Sequence, residues 1–68
     1  MITLEQFQKS RMTLFNKDGS AYFDYMDGKV KIGIDGGLYY YEEDGGSVAS
    51  TELEEVEEEA FCEYSRSL

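Results

Sequence analysis

Residues 21–34 read AYFDYMDGKVKIGI, and this stretch decides the fold. The dipeptide Asp27-Gly28 at its centre tolerates positive φ and closes tight hairpins, and the aromatic and β-branched residues on both sides favour strands. A two-residue turn there gives one wholly apolar face and one favourable charge pair, and a shift of one residue would destroy both. The predicted pairs are Tyr25 with Val30, Phe23 with Ile32, Ala21 with Ile34 and, on the opposite face, Asp24 with Lys31.

Asp-Gly dipeptides recur along the chain and divide it into short segments. They stand at positions 18–19, 27–28, 35–36 and 44–45, at intervals of nine, eight and nine residues. The segments between them are rich in residues that favour strands. This spacing predicts a meander of three short antiparallel strands.

The turn after the second strand can have two lengths. Residues 35–37 are Asp-Gly-Gly, which closes a hairpin with either two or three residues. A two-residue turn at the first two of them places Tyr39 and Tyr41 on the apolar face. Tyr40 then lies on the other face, opposite Lys31. A three-residue turn exchanges the faces of the tyrosines, so the register of the third strand stays open.

The first residues predict a helix. Thr3 and Gln6 have the spacing of a capping box, and Ile2 with Phe7 has that of a hydrophobic staple. Apolar residues then follow at helical spacing up to a stop near Asn16. The predicted apolar stripe consists of Leu4, Phe7, Leu14 and Phe15.

The last residues predict a second helix. Thr51 and Glu54 make a second capping box. The apolar side of this helix consists of Leu53, Val56, Ala60 and Tyr64, with Phe61 at its edge. Residues 1–68 therefore form a single small α+β domain with an N-terminal helix, a three-stranded antiparallel meander and an acidic C-terminal helix. Both helices cover the apolar face of the sheet, since the opposite face is polar.

The composition excludes several classes of protein. Fifteen acidic and six basic residues give a net charge of −9, which disfavours direct nucleic-acid binding because phosphate contacts need clustered Lys and Arg. Histidine, the commonest general base and metal ligand, does not occur, and the single Cys62 cannot form an internal disulfide. We therefore expect no catalytic residue, no metal and no cofactor. No stretch approaches the ~20 apolar residues of a membrane span, so we expect a soluble, cytoplasmic chain without a membrane partner.

The negative charge belongs to one half of the chain. Residues 1–31 hold four acids and five bases, a balance of +1, whereas residues 32–68 hold eleven acids and only Arg66, a balance of −10. On a helical wheel the glutamates of the second helix fall away from the Leu53 stripe, with Glu57 near its margin. Seven carboxylates over residues 52–63 give about one charge per 2.6 Å, against about one per 1.7 Å along duplex DNA.

A surface of this kind is complementary to a channel lined by Lys and Arg. The residues predicted to contact a basic partner are Glu54, Glu55, Glu58, Glu59 and Glu63, followed by Glu42, Glu43, Asp44 and Tyr40. A run of glutamates on a helix is also typical of a purely solvated face, and that interpretation stays open.

Size, charge and layout together resemble the small acidic inhibitors of phages and mobile elements that imitate nucleic acid, in particular anti-CRISPR proteins. The chain is also similar in these respects to inhibitors of DNA-repair glycosylases. The resemblance covers the whole chain and rests on no sequence motif. It implies a non-enzymatic inhibitor in the host bacterial cytoplasm that blocks DNA binding by a basic protein, such as the duplex-reading subunit of a CRISPR effector complex.

A second hypothesis is a protein-interaction module or a small subunit of a larger complex. The contact would then be made by the tyrosine-rich edge of the sheet, and the acids would only confer solubility. The two hypotheses differ in whether salt and glutamate substitutions weaken binding.

Overall fold

The computed structural model describes residues 2–42 and 48–66, and these form two helices and one antiparallel sheet. The strands are neighbours in chain order, from β1 at one edge to β5 at the other. The α+β class is thus confirmed, and the predicted three-stranded meander is present as β2–β4 within a five-stranded sheet. The elements are α1 (Leu4–Lys9), β1 (Met12–Phe15), β2 (Ala21–Tyr25), β3 (Val30–Asp35), β4 (Leu38–Tyr41), β5 (Ala49–Ser50) and α2 (Leu53–Arg66).

The β2–β3 hairpin has the predicted register but a different turn. The loop contains four residues, not two, and its first three residues, Met26, Asp27 and Gly28, all have positive φ. The Lys29 N–H closes it by donating to the Tyr25 carbonyl over 3.1 Å. The register is unchanged because both turns bring the same two residues together at the strand ends. The observed pairs are Tyr25 with Val30, Asp24 with Lys31, Phe23 with Ile32 and Tyr22 with Gly33.

The β3–β4 hairpin takes neither of the two predicted turns. The two-residue turn consists of the Gly-Gly pair at positions 36–37, with φ of 57° and 85°. Such a turn requires positive φ at both positions, which glycine adopts without strain. Tyr39 and Tyr41 still lie on the helix side, as the two-residue alternative predicts. Tyr40 pairs with Gly33, so its predicted pairing with a lysine two positions away on β3 is wrong.

The N-terminal helix is shorter than predicted. The Thr3–Gln6 capping box is confirmed, with both reciprocal hydrogen bonds present. The helix then ends at Lys9, because the Ser10 hydroxyl donates to the Phe7 carbonyl over 2.6 Å. The same hydroxyl accepts the Met26 N–H, which ties the helix end to the β2–β3 loop.

The second half of the predicted N-terminal stripe is a strand. Leu14 and Phe15 belong to β1, and Phe15 is 69% exposed. The Asp18-Gly19 dipeptide closes a hairpin here, with Gly19 at φ 88° and its N–H donating to the Asn16 carbonyl over 3.0 Å. Leu14 and Phe15 fit helical spacing from Phe7, but a short apolar run fits a strand equally well.

Both helices pack on one face of the sheet, as predicted; we call it the inner face. The Phe7 ring from α1 stacks on the Tyr25 ring at 4.7 Å and 7° between planes. Helix α2 packs on β3, β4 and β5. Within the described ranges, neither helix is long and apolar enough to cross a membrane. The buried core consists of Phe7, Tyr25, Val30, Ile32, Tyr41, Val56 and Ala60.

Helix α2 begins one residue later than the predicted Thr51 cap requires. Leu53 is its first residue, and the Ser50 hydroxyl accepts the Glu52 N–H over 3.0 Å. This hydrogen bond runs from the end of β5 to the residue just before α2. This links the start of the acidic helix directly to the edge of the sheet.

On the opposite, outer face of the sheet, the Tyr40 ring lies over Gly33. A Cβ added at Gly33 would lie 2.1 Å from Tyr40 Cζ, so Gly33→Ala must displace the ring. We expect this substitution to lower the free energy of unfolding by about 1–2 kcal/mol, the usual cost of overpacking. In a Tyr40→Ala background the clash is gone, and urea denaturation should show most of that cost removed. Equal costs in the two backgrounds would contradict the predicted clash.

Candidate functional site

The candidate site is the outward surface of α2. Because Val56 and Ala60 are buried against the sheet, the glutamates on the other side of the helix point into solvent. All five helix residues predicted for partner contact are exposed. We call the following residues the acidic face: Glu52, Glu54, Glu55, Glu58, Glu59 and Glu63.

The acidic face is almost uncompensated. Glu63 forms an ion pair with Arg66 at 2.9 Å, one turn along the helix. Within residues 2–42 and 48–66, none of the other five carboxylates forms an ion pair. Successive glutamates one turn apart repel each other, by roughly 0.2–0.5 kcal/mol per pair. The negative potential of this surface is therefore available to a cationic partner.

A groove lies where the acidic face meets the sheet edge. Its volume is about 190 Å³, and its apolar part is the buried Val56 with the half-buried Val48 beside β5. Three carboxylates line the groove, and Val48 is the one partly exposed apolar side chain among the lining residues, since Val56 is fully buried. The lining residues are Val48, Ser50, Glu55, Val56, Glu58 and Glu59.

Glu57 is the exception among the helix glutamates. The sequence predicts Glu57 near the margin of the apolar Leu53 stripe, and the structure buries it fully within the core, with only 3% of it exposed. The Tyr25 hydroxyl donates to Glu57 Oε2 over 2.5 Å, and Gln8 Nε2 donates to Oε1 over 3.2 Å. Arg11 Nη1 lies 3.6 Å from Oε2. One carboxylate thus joins α2 to β2, to α1 and to Arg11 in the connection between α1 and β1.

This cluster fixes the rotation of α2 about its axis. A buried carboxylate costs free energy unless it is paired and hydrogen-bonded, and Glu57 finds its donors only when it faces inward. Burial, the hydrogen bond to Glu57 and the Glu57 charge raise the pKa of Tyr25 above its ordinary value. Tyr25 therefore stays a neutral donor. Because Glu57 faces the core, the acidic face on the other side of α2 faces the solvent.

A sequence signal for the burial of Glu57 does exist. Glu57 lies one turn from Leu53 on one side and from Phe61 on the other, in the row that also carries the apolar contacts of the helix. This signal is hard to recognise because the neighbouring residues are also glutamates. A wheel centred on Leu53, Ala60 and Tyr64 would have placed it inside.

Of the remaining predicted contact residues, the structure describes Glu42 and Tyr40. Glu42 is exposed at the end of β4. Tyr40 lies on the outer face of the sheet, where partial burial and the charges of Glu42 and Asp35 raise its pKa. Glu43 and Asp44 lie outside the described residues. The structure therefore brings together the helix glutamates but not Tyr40 with them.

The tyrosine-rich strand is not an edge of the sheet. Strand β4 pairs with β3 on one side and with β5 on the other, through Tyr39 with Ser50 and Tyr40 with Ala49. Tyr41 is buried and Tyr39 packs against the core. Of the three tyrosines, only Tyr40 faces away from the helices, and its ring covers Gly33.

No cluster able to hold a metal ion is found among residues 2–42 and 48–66. Cys62 is a free, exposed thiol on α2.

The chain matches no protein-family model, no curated protein and no solved structure.

Glu57→Ala should destabilise the fold far more than Glu58→Ala, although the two residues are adjacent. Removing Glu57 leaves the buried Tyr25 hydroxyl without its acceptor, and we expect a loss of about 2–3 kcal/mol in the free energy of unfolding. Glu58→Ala removes an exposed charge and should change it by no more than about 0.5 kcal/mol. Urea denaturation measures both, and similar losses would contradict the assigned roles.

The raised pKa of Tyr25 predicts a loss of stability in alkali. The unfolded chain releases this proton near its ordinary pKa of about 10, whereas the folded chain retains it, so the contribution is complete below that pH and declines above it. The decline is at most about 1.4 kcal/mol per pH unit. Urea denaturation between about pH 8 and 11 should show a shallower decline for Tyr25→Phe than for the natural chain. Parallel curves would contradict this assignment.

Proposed function

We propose that this protein is a non-enzymatic inhibitor that imitates the charge of DNA. Its acidic face binds the basic, nucleic-acid-binding surface of a bacterial defence protein, such as a CRISPR effector complex, and blocks binding of target DNA. The observation that carries the proposal is the set of five exposed glutamates on one side of α2, with Glu52 just before the helix, which form a single ion pair among the described residues.

Because Glu57 is buried, the outward surface carries fewer charges per length of helix than the sequence predicts. Six outward carboxylates over residues 52–63 correspond to about one charge per 3 Å of helix. A single DNA strand carries about one phosphate per 3.4 Å, and the duplex about one per 1.7 Å. The acidic face therefore matches the charge spacing of one strand, and it would meet the row of Lys and Arg that follows one strand of a duplex.

The distribution of charge over the fold favours a one-sided contact. Helix α2 packs on β3, β4 and β5, so the acidic face lies toward the β5 end of the sheet. Of the six basic residues, only Arg66 belongs to α2, and the other five lie in residues 1–31. A basic partner is therefore steered to α2 and away from the first half of the chain.

Charge reversal on the acidic face should abolish binding without unfolding the protein. We expect Glu58→Lys/Glu59→Lys to lose capture of a DNA-binding protein from bacterial lysate, while its thermal unfolding stays close to that of the natural chain. Binding by the natural chain should fall steeply between about 50 and 200 mM salt, because counterion release dominates such contacts. Duplex DNA should displace the captured protein.

The matched control is Glu5→Lys/Asp35→Lys, which makes the same change in net charge at exposed positions away from α2. It should keep most of the binding. If the α2 variant binds as well as the natural chain, the proposed mimicry is wrong. Loss of binding in Tyr40→Phe, together with normal binding by the α2 variant, would instead favour contact through β4.

A further inference from the structure

Strand β1 leaves one edge of the sheet open to pairing. Within the part of the chain that the structure describes, β1 pairs with β2 alone. We propose that β1 binds β1 of a second copy of this chain in antiparallel orientation, so that two sheets join into one of ten strands. This inference is independent of the proposed function of α2, because it concerns the opposite edge of the sheet.

The backbone of β1 directs hydrogen-bonding groups toward this edge. The Asn16 N–H donates to the Ser20 carbonyl over 2.8 Å, so the backbone of Asn16 faces β2. Successive residues of an antiparallel strand direct their N–H and C=O groups to opposite sides. Leu14 therefore also faces β2, whereas Thr13 and Phe15 face the open edge. Two donors and two acceptors are thus available to another strand.

The side chains of β1 do not protect the edge against pairing. Edge strands of natural proteins are usually protected by charged residues, proline, a bulge or a covering segment. Residues 12–15 contain neither a charge nor a proline, in a chain with fifteen acidic and six basic residues. Met12 is 56% exposed and Phe15 69%, so pairing would remove apolar surface from water.

The absence of charge on β1 favours a second copy as its partner. A strand that is uncharged along its length can pair with its own copy without placing like charges opposite each other, which would destabilise the sheet. The neighbouring Arg11 directs its charge inward, because Nη1 lies 3.6 Å from Glu57 Oε2 and the guanidinium lies over the Phe23 ring. The contact is symmetric, with the same surface on both copies.

The distribution of charge over the fold makes β1 the edge at which two copies can meet. Two chains of net charge −9 repel each other, so a stable contact must keep their acidic halves apart. Helix α2 packs on β3, β4 and β5, whereas β1 forms the other edge of the sheet. Strand β1 also belongs to residues 1–31, where four acids and five bases nearly cancel.

Analytical ultracentrifugation tests the pairing through its dependence on salt. The contact is short, so we expect a monomer–dimer equilibrium between about 10 µM and 1 mM protein. Raising the salt from about 50 to 500 mM should strengthen dimerisation several-fold, because salt screens the repulsion between the two acidic chains. A contact between the acidic face of one copy and basic residues of another would weaken instead. That outcome, or a monomer under all conditions, overturns the proposal.

A lysine placed on the edge should prevent pairing. We expect Phe15→Lys to weaken dimerisation at least tenfold, with thermal unfolding close to that of the natural chain because the replaced ring is mostly exposed. The matched control is Leu38→Lys, which makes the same change in net charge at an exposed apolar residue of β4. It should dimerise like the natural chain. Equal dimerisation by the two variants overturns the assignment to β1.

Hydrogen exchange locates the contact without any substitution. In concentrated solution, the Thr13 and Phe15 N–H groups should exchange several-fold more slowly than in dilute solution. The Leu14 N–H faces β2 and should exchange slowly in both. Unchanged exchange at Thr13 and Phe15 overturns the proposal, wherever else protection appears.

Discussion

The hydrogen bond from the Tyr25 hydroxyl to Glu57 is the contact on which the rest of the structure depends. The ring of the same tyrosine stacks on Phe7, so one side chain joins β2 to both helices. A carboxylate remains buried only where donors meet it. Glu57 therefore requires that α1, β2 and α2 all be in place. The outward direction of every other glutamate on α2 follows from this inward one.

The sequence determines those parts of the fold in which neighbouring residues carry the information. The β2–β3 register follows from the alternation on either side of Asp27-Gly28, and it survives an error in the turn because both turns keep the pair of Tyr25 with Val30. The sequence predicts a helix where β1 lies, because Leu14 and Phe15 also fit helical spacing. Strand β5 has only two residues, which is too short for an alternation of apolar and polar residues to be recognised in the sequence.

The candidate site also has one part that follows from local sequence and another that depends on distant residues. Exposure of Glu54, Glu55, Glu58, Glu59 and Glu63 follows from the wheel of α2, a property of local sequence. Burial of Glu57 depends on donors supplied by distant parts of the chain, and the groove depends on β5. Neither can be obtained from the helix alone. The charge density predicted from the sequence is too high for this reason, since it counts the carboxylate of Glu57, which belongs to the core.

Repulsion along the acidic face connects stability to the proposed binding. The pairs Glu54–Glu58, Glu55–Glu59 and Glu59–Glu63 are each one turn apart, and together they cost about 1 kcal/mol in a small domain. Cations of a partner placed between these carboxylates remove that repulsion. A ligand that binds only the folded state also stabilises it in proportion to its affinity. Under the proposed function, the feature that weakens the isolated chain thus favours the folded, bound form, because the same charges that repel one another within α2 would attract a basic partner.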